Sequence, residues 1–153
     1  MIDITTGTRL HFGLICSKPA THWRFGGIGI MLRQPAWRMS VEPEIGNTDK
    51  VDAGSVVAER IREFLQRIRT HRKDNASRVG SLRICVHDEV SFHTGLGSGT
   101  QLGLALSASI ELMIHHCMPE DPFQLAQLAA RAERSAVGTI GFARGGFLVD
   151  HGE

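Results

Sequence analysis

The stretch His93-Thr94-Gly95-Leu96-Gly97-Ser98-Gly99-Thr100 constrains the fold of this chain more than any other. It follows Leu82-Arg83-Ile84-Cys85-Val86, whose strict alternation predicts a strand running on through Val90. It precedes Thr100 to Cys117, a segment apolar around most of its circumference, which predicts a central, buried helix. Gly95, Gly97 and Gly99 can adopt backbone angles that other residues avoid, and without side chains they let amides approach an anion closely. A helix starting near Ser98 to Thr100 adds unpaired N–H groups and the positive end of its dipole. Ser98 and Thr100 add hydroxyls suited to phosphate oxygens or Mg²⁺. The loop is not a Walker A motif, because no Lys follows the glycines. Nor is it a dinucleotide fingerprint, since Thr100 stands where a third glycine is required. On spacing alone, a turn that merely lets a helix pack closely on a strand fits equally well.

Elsewhere the chain mixes strands and helices. Thr8 to Ile15 predicts a strand with Leu10, Phe12 and Leu14 on one face and Arg9 and His11 on the other or at its edge. Phe25 to Leu32 predicts a second strand, broken at Pro35 and resumed over Trp37 to Val41, with Glu42 to Asp52 as a polar loop. From Ala53 to about Arg69, Val57, Ile61, Phe64, Leu65 and Ile68 form one helical stripe. Glu63 and Arg67 are ordered for an ion pair worth about 0.3 kcal/mol if exposed. The basic run Arg67, Arg69, His71, Arg72 and Lys73 reads as a solvated helix end. Asp121-Pro122 supplies an N-cap and first-turn proline for a helix from Phe123 to about Ser135, and Gly145 to Asp150 predicts a last strand. Two adjacent early strands followed by mixed elements argue for an α+β fold, a mixed sheet packed with helices, in one domain of 153 residues.

Composition limits what the loop serves. Seventeen basic residues against sixteen acidic ones leave a net charge of +1, which gives no electrostatic reason to expect nucleic acid or membrane as the partner. The lack of Tyr and an aromatic content of 6% argue against a base-stacking surface. Cys16, Cys85 and Cys117 form no CxxC pair and read as reduced, mostly buried thiols. Met1-Ile2-Asp3-Ile4 shows no basic, apolar leader, so a cytoplasmic protein is expected. His115 and His116 project about 100° apart on a helix and cannot easily share a metal.

Thr94-Gly95-Leu96-Gly97-Ser98-Gly99-Thr100-Gln101 resembles the phosphate-binding motif of the GHMP kinases, usually Pro-x-x-x-Gly-Leu-Gly-Ser-Ser-Ala, with Ser91 at the proline position and Gly99-Thr100 in place of Ser-Ala. Four blocks resemble one branch of that superfamily, the β-ribofuranosylaminobenzene 5′-phosphate synthases. They are Arg9 to Leu14, Arg24 to Gly29, His93 to Gln101 and Phe142 to Asp150, in that order along nearly the whole chain.

The resemblance implies the GHMP-kinase N-terminal fold, of the ribosomal protein S5 domain 2-like type. It also implies a reaction in methanopterin biosynthesis. Phosphoribosyl pyrophosphate and a para-substituted benzoate, 4-aminobenzoate or 4-hydroxybenzoate, form a C-riboside with loss of pyrophosphate and CO₂. On this reading Thr94, Gly95, Leu96, Gly97, Ser98, Gly99 and Thr100 hold pyrophosphate, and Mg²⁺ bridges its oxygens with Asp150 as a candidate ligand. Arg9, Arg24 and Arg144 suit phosphate or carboxylate, with Arg144 counted among the catalytic candidates. His11 and His93 are candidates to move a proton or bind phosphate. Each arginine fits a structural ion pair about as well, and a lone histidine is more often a hydrogen-bonded structural residue. A kinase using ATP is the second reading. It is weakened because Gly138 to Arg144, where such kinases place a catalytic Asp, has no carboxylate. A non-catalytic phosphate-binding domain is the third. The family's enzymes carry a further domain beyond the point where this chain stops. The expectation is therefore an N-terminal domain without its C-terminal partner, whose uncovered apolar surface favours self-association.

Overall fold

The structure, a computed structural model, describes residues 1–17, 24–72, 79–130 and 136–150. Within them the order is β1 (Ile2–Ser17), β2 (Arg24–Pro43), β3 (Lys50–Asp52), α1 (Ser55–His71), β4 (Leu82–Asp88), α2 (Ser98–His115), α3 (Pro122–Leu128), α4 (Ala136–Arg144) and β5 (Phe147–Asp150). The sheet runs β1-β2-β4-β3, and β5 pairs with the first half of β2. All pairings are antiparallel except β3 with β4. The expected α+β class, a mixed sheet with helices, is what forms.

Several boundaries differ from the sequence reading. The break expected at Pro35 takes the form of a bulge inside one continuous strand, β2. Ala36 pairs with Gly7 and Leu32 with Thr8, so residues 33–35 bulge out and pairing resumes beyond them. A bulge is where a strand tolerates a residue without an N–H. Lys50–Asp52, expected within a loop, adds a short parallel strand beside β4. Gly138 to Arg144, which carried no helical signal in the sequence, lies within α4. Of the helix expected to reach Ser135, Pro122–Leu128 is seen and residues 131–135 lie outside the described residues.

The core lies between the sheet and the helices. Trp37, Met39 and Val41 of β2 and Ile84 of β4 meet Ile61, Phe64 and Ile68 of α1 and Leu102, Ala105 and Leu106 of α2. The stripe read from α1 is the buried one, and residues 101–110 of α2 are buried on every side, as a central helix requires. Gly103 permits the close crossing of α1 and α2, because a Cβ there would lie 2.7 Å from the Phe64 ring.

The basic end of α1 is not simply solvated. Arg69 forms a two-pronged pair with Asp49, at 2.7 and 2.8 Å, and also donates to the Gly80 carbonyl. Arg72 pairs with Glu111 of α2. The thiols also differ from expectation: Cys85 is half-buried and Cys117, just past the left-handed end of α2, is exposed. The Cys16 side chain lies outside the described residues. No helix among the described residues is long and apolar enough to cross a membrane.

Simple alternation would bury Leu10 and Phe12. Ile4, Thr6 and Thr8 do face inward, but after Thr8, next to the register shift between Gly7 and Thr8, the faces exchange. Arg9 and His11 now lie against α4, while Leu10, Phe12, Phe147 and Val149 are exposed at 40%, 57%, 62% and 47%.

Candidate functional site

The glycine loop joins the end of β4 to α2, and its shape follows from three left-handed residues. His93, Gly95 and Gly97 have φ of 62°, 78° and 64°, and Gly97 caps α2. Two of the three are glycines, the residue type that takes this conformation without steric cost. The loop is anchored from both sides. Trp37 Nε1 donates to the Ser98 carbonyl at 2.9 Å, and its ring packs on Phe92 with centroids 5.6 Å apart. The Ser98 and Thr94 hydroxyls both donate to the Ser91 carbonyl, at 3.0 and 3.2 Å. The Arg9 amide donates to the Leu96 carbonyl at 2.9 Å.

In front of the loop is a cavity of about 220 Å³, lined by residues 92–95 and 97–100. The amides of Thr100 and Gln101 both donate to the Gly97 carbonyl. Those of Gly95, Leu96, Gly97, Ser98 and Gly99 have no hydrogen-bond partner among the described residues. Ser98 is buried with its hydroxyl held by Ser91, so Ser98 offers its amide and Thr100 its hydroxyl.

Arg9 stands beside this junction. Its side chain passes over Gly97 and Gly138: a Cβ on Gly97 would lie 2.6 Å from Arg9 Nε, and one on Gly138 2.7 Å from Nη1. The guanidinium thus lies between the first turns of α2 and α4. Burial lowers its pKa from the usual arginine value, yet a guanidinium keeps its charge at neutral pH. A guanidinium beside two helix starts favours an anion there.

The other expected residues are spread more widely. His93 and Thr94 line the cavity. His11 packs against Gly27 and Val137, and neither His11 nor Arg9 is among the cavity's lining residues. Arg144 is exposed in the last turn of α4, six residues from Gly138 and so about 9 Å along the helix. Asp150 ends β5 opposite Gly27 and does not line the cavity. The backbone of Arg24 begins β2, and its side chain lies outside what is described. For Mg²⁺ the donor set is poor: the lining holds no carboxylate, and no group of three His, Cys, Asp or Glu among the described residues could hold a metal. Sequence reasoning missed Trp37, Ser91 and Gly138 as supports of the loop. Ser91, at the motif's proline position, and Gly138, in a glycine-spaced segment, carried local signals, and Trp37 carried none.

Residues 57–146 match the family described as GHMP kinases N terminal domain. The chain is 31% identical over 153 residues to the β-ribofuranosylphenol 5′-phosphate synthase of Methanothermobacter thermautotrophicus, covering 97% of this chain and 45% of that protein. It is 28% identical over 156 residues to the protein of the same name from Methanocaldococcus jannaschii, covering 97% and 46%. The chain thus spans under half the length of these curated relatives. Among solved structures, a 4-(cytidine 5′-diphospho)-2C-methyl-D-erythritol kinase is similar in fold, with a TM-score of 0.59 at 17% identity over 99% of this chain and 53% of that one. So is mevalonate pyrophosphate decarboxylase from Streptococcus pyogenes, with a TM-score of 0.58 at 15% identity over 97% and 46%. The chain belongs to the GHMP kinase N-terminal domain family.

Proposed function

We propose that this chain is the pyrophosphate-holding part of a synthase that joins phosphoribosyl pyrophosphate to a para-substituted benzoate, 4-hydroxybenzoate or 4-aminobenzoate. The observation that carries this reading is the run of amides from Gly95 to Gly99 without partners among the described residues, four of these residues lining a cavity beside the start of a buried helix. The two curated relatives named above support the substrate class.

In the reaction, the ribose C1–oxygen bond breaks and pyrophosphate departs with the electron pair. The ring carbon bearing the carboxylate then bonds to C1, and CO₂ is lost. Negative charge grows on the leaving group as the bond breaks. Amides already fixed around it stabilise that charge more in the transition state than in the ground state. Trp37 and Ser91 hold the loop in that shape, His93 contacts the bound phosphate, and Arg9 supplies positive charge from beside Gly97.

Two measurements test the proposal. Pyrophosphate should raise the thermal midpoint of this chain, and Gly97→Val should remove the rise. The whole synthase should release labelled CO₂ from carboxyl-labelled 4-hydroxybenzoate or 4-aminobenzoate only when phosphoribosyl pyrophosphate is present. Binding of both substrates without release of CO₂ or pyrophosphate would overturn it. Acceptor-dependent ATP consumption would favour a kinase instead, the activity named for several proteins of similar fold.

A further inference from the structure

The outward face of β2, β3 and β4 carries a second chemically competent cluster. Cys85 of β4 pairs in register with Ser40 on β2 and with Asp52 on β3. Its Sγ lies 3.8 Å from Asp52 Oδ2 and 3.9 Å from Nδ1 of His87, two residues along the same strand. The other ring nitrogen of His87, Nε2, is 3.0 Å from the Ser40 hydroxyl. A hydroxyl can donate or accept, so Ser40 fits either tautomer of the ring and leaves Nδ1 facing the sulfur in both. Thiol, base and orienting group are the arrangement that activates a sulfur nucleophile.

The surrounding charges are otherwise engaged. Arg38 pairs with Asp88, Lys50 with Glu44, and Arg83 with both Glu42 and Glu44. Asp52 makes no ion pair among the described residues and accepts from the thiol. Cys117 is exposed and has no partner among the described residues, which makes it an internal reference of the same chain.

We propose that Cys85 is a thiol–disulfide exchange site, with His87 as its base and Ser40 as the group that orients His87. As the sulfur attacks one sulfur of a low-molecular-weight disulfide RSSR, the thiol proton passes to His87 Nδ1. The S–S bond of RSSR breaks, and the departing RS⁻ takes up that proton as RSH. Cys85 is oxidised to the mixed disulfide and RSSR is reduced, with no other reagent required. The site does not depend on the phosphate cavity, and its test reads no catalytic activity.

The folded chain is incubated with glutathione disulfide across a pH series, and modification is followed by intact mass and peptide mapping. At neutral pH, Cys85 should be modified at least about tenfold faster than Cys117. His87→Gln should slow Cys85 by about tenfold at neutral pH, change the pH dependence of its rate, and leave Cys117 unchanged. The same measurements on Cys16→Ser/Cys117→Ser isolate Cys85. If that variant does not fold, peptide mapping of the unmodified chain decides. Equal rates at Cys85 and Cys117, or a His87→Gln variant with the Cys85 rate and pH profile of the parent, would overturn the proposal.

Discussion

Gly97 meets two demands that no other residue type meets together. Its φ of 64° lies in the left-handed region, and a side chain there would strike the Arg9 stem and Nε. Gly97→Val should therefore cost stability by at least about 1–2 kcal/mol from the backbone alone. It should also raise the pyrophosphate Kd by more than about tenfold, since the strained loop can no longer present its amides. Urea denaturation and calorimetric titration measure the two effects. Gly138→Ala tests the same arginine from the other side: a Cβ there meets Nη1 at 2.7 Å. It should weaken anion binding while leaving the glycine loop itself unaltered. The alternation of glycines at 95, 97 and 99 was legible in the sequence because it is local. Arg9 was a candidate through the family resemblance, but its place beside Gly97 was not legible, because it arrives from the first strand.

At the scale of elements, loop and helix are held by contacts between distant segments. Trp37 Nε1 on the Ser98 carbonyl ties β2 to the start of α2. Trp37→Phe keeps most of the buried ring and leaves that carbonyl without its donor. It should cost about 1–3 kcal/mol by thermal or urea unfolding, with a weaker pyrophosphate response. The pair between Asp49 and Arg69 fastens the end of α1 to the loop before β3. Hydrogen bonds from Arg69 are the largest influence holding the Asp49 carboxyl below its usual range, against the opposing effect of burial. A carboxyl with a lowered folded pKa contributes stability above its unfolded pKa, and that contribution is lost as pH falls through the folded one. Arg69→Ala should therefore lower the urea midpoint at neutral pH, and the difference from the parent should shrink as pH falls below the ordinary carboxylate range, about 4. The stripe on α1 was readable because five apolar residues recur at helical spacing. β3 and α4 were not: three residues carry too little pattern, and the glycines of α4 mask its periodicity.

For the whole molecule, the notable result is which sheet face is covered. The helices pack against the side that carries Trp37, Met39 and Ile84, and the other side leaves Phe12, Phe147 and Val149 in solvent. Phe12 and Phe147 lie beside each other, with ring centroids 6.3 Å apart. Replacing both by Ser should change folding stability by less than about 1 kcal/mol, far less than an equal change at buried Phe64. Unfolding curves of the two variants decide this.

What the sequence determined by itself was local. Alternation marked β4, helical spacing marked α1 and the buried α2, Asp121-Pro122 marked the start of α3, and the glycines marked the bend between β4 and α2. Each depends on residues within a turn or two of one another, where backbone sterics and periodicity act. The tertiary structure decided what those signals could not: that Arg9 and His11 turn inward past the bulge at residues 33–35, and that Trp37 fixes the loop. A register shift exchanges the faces of a strand without changing its composition, and only packing against a second layer selects which face is buried.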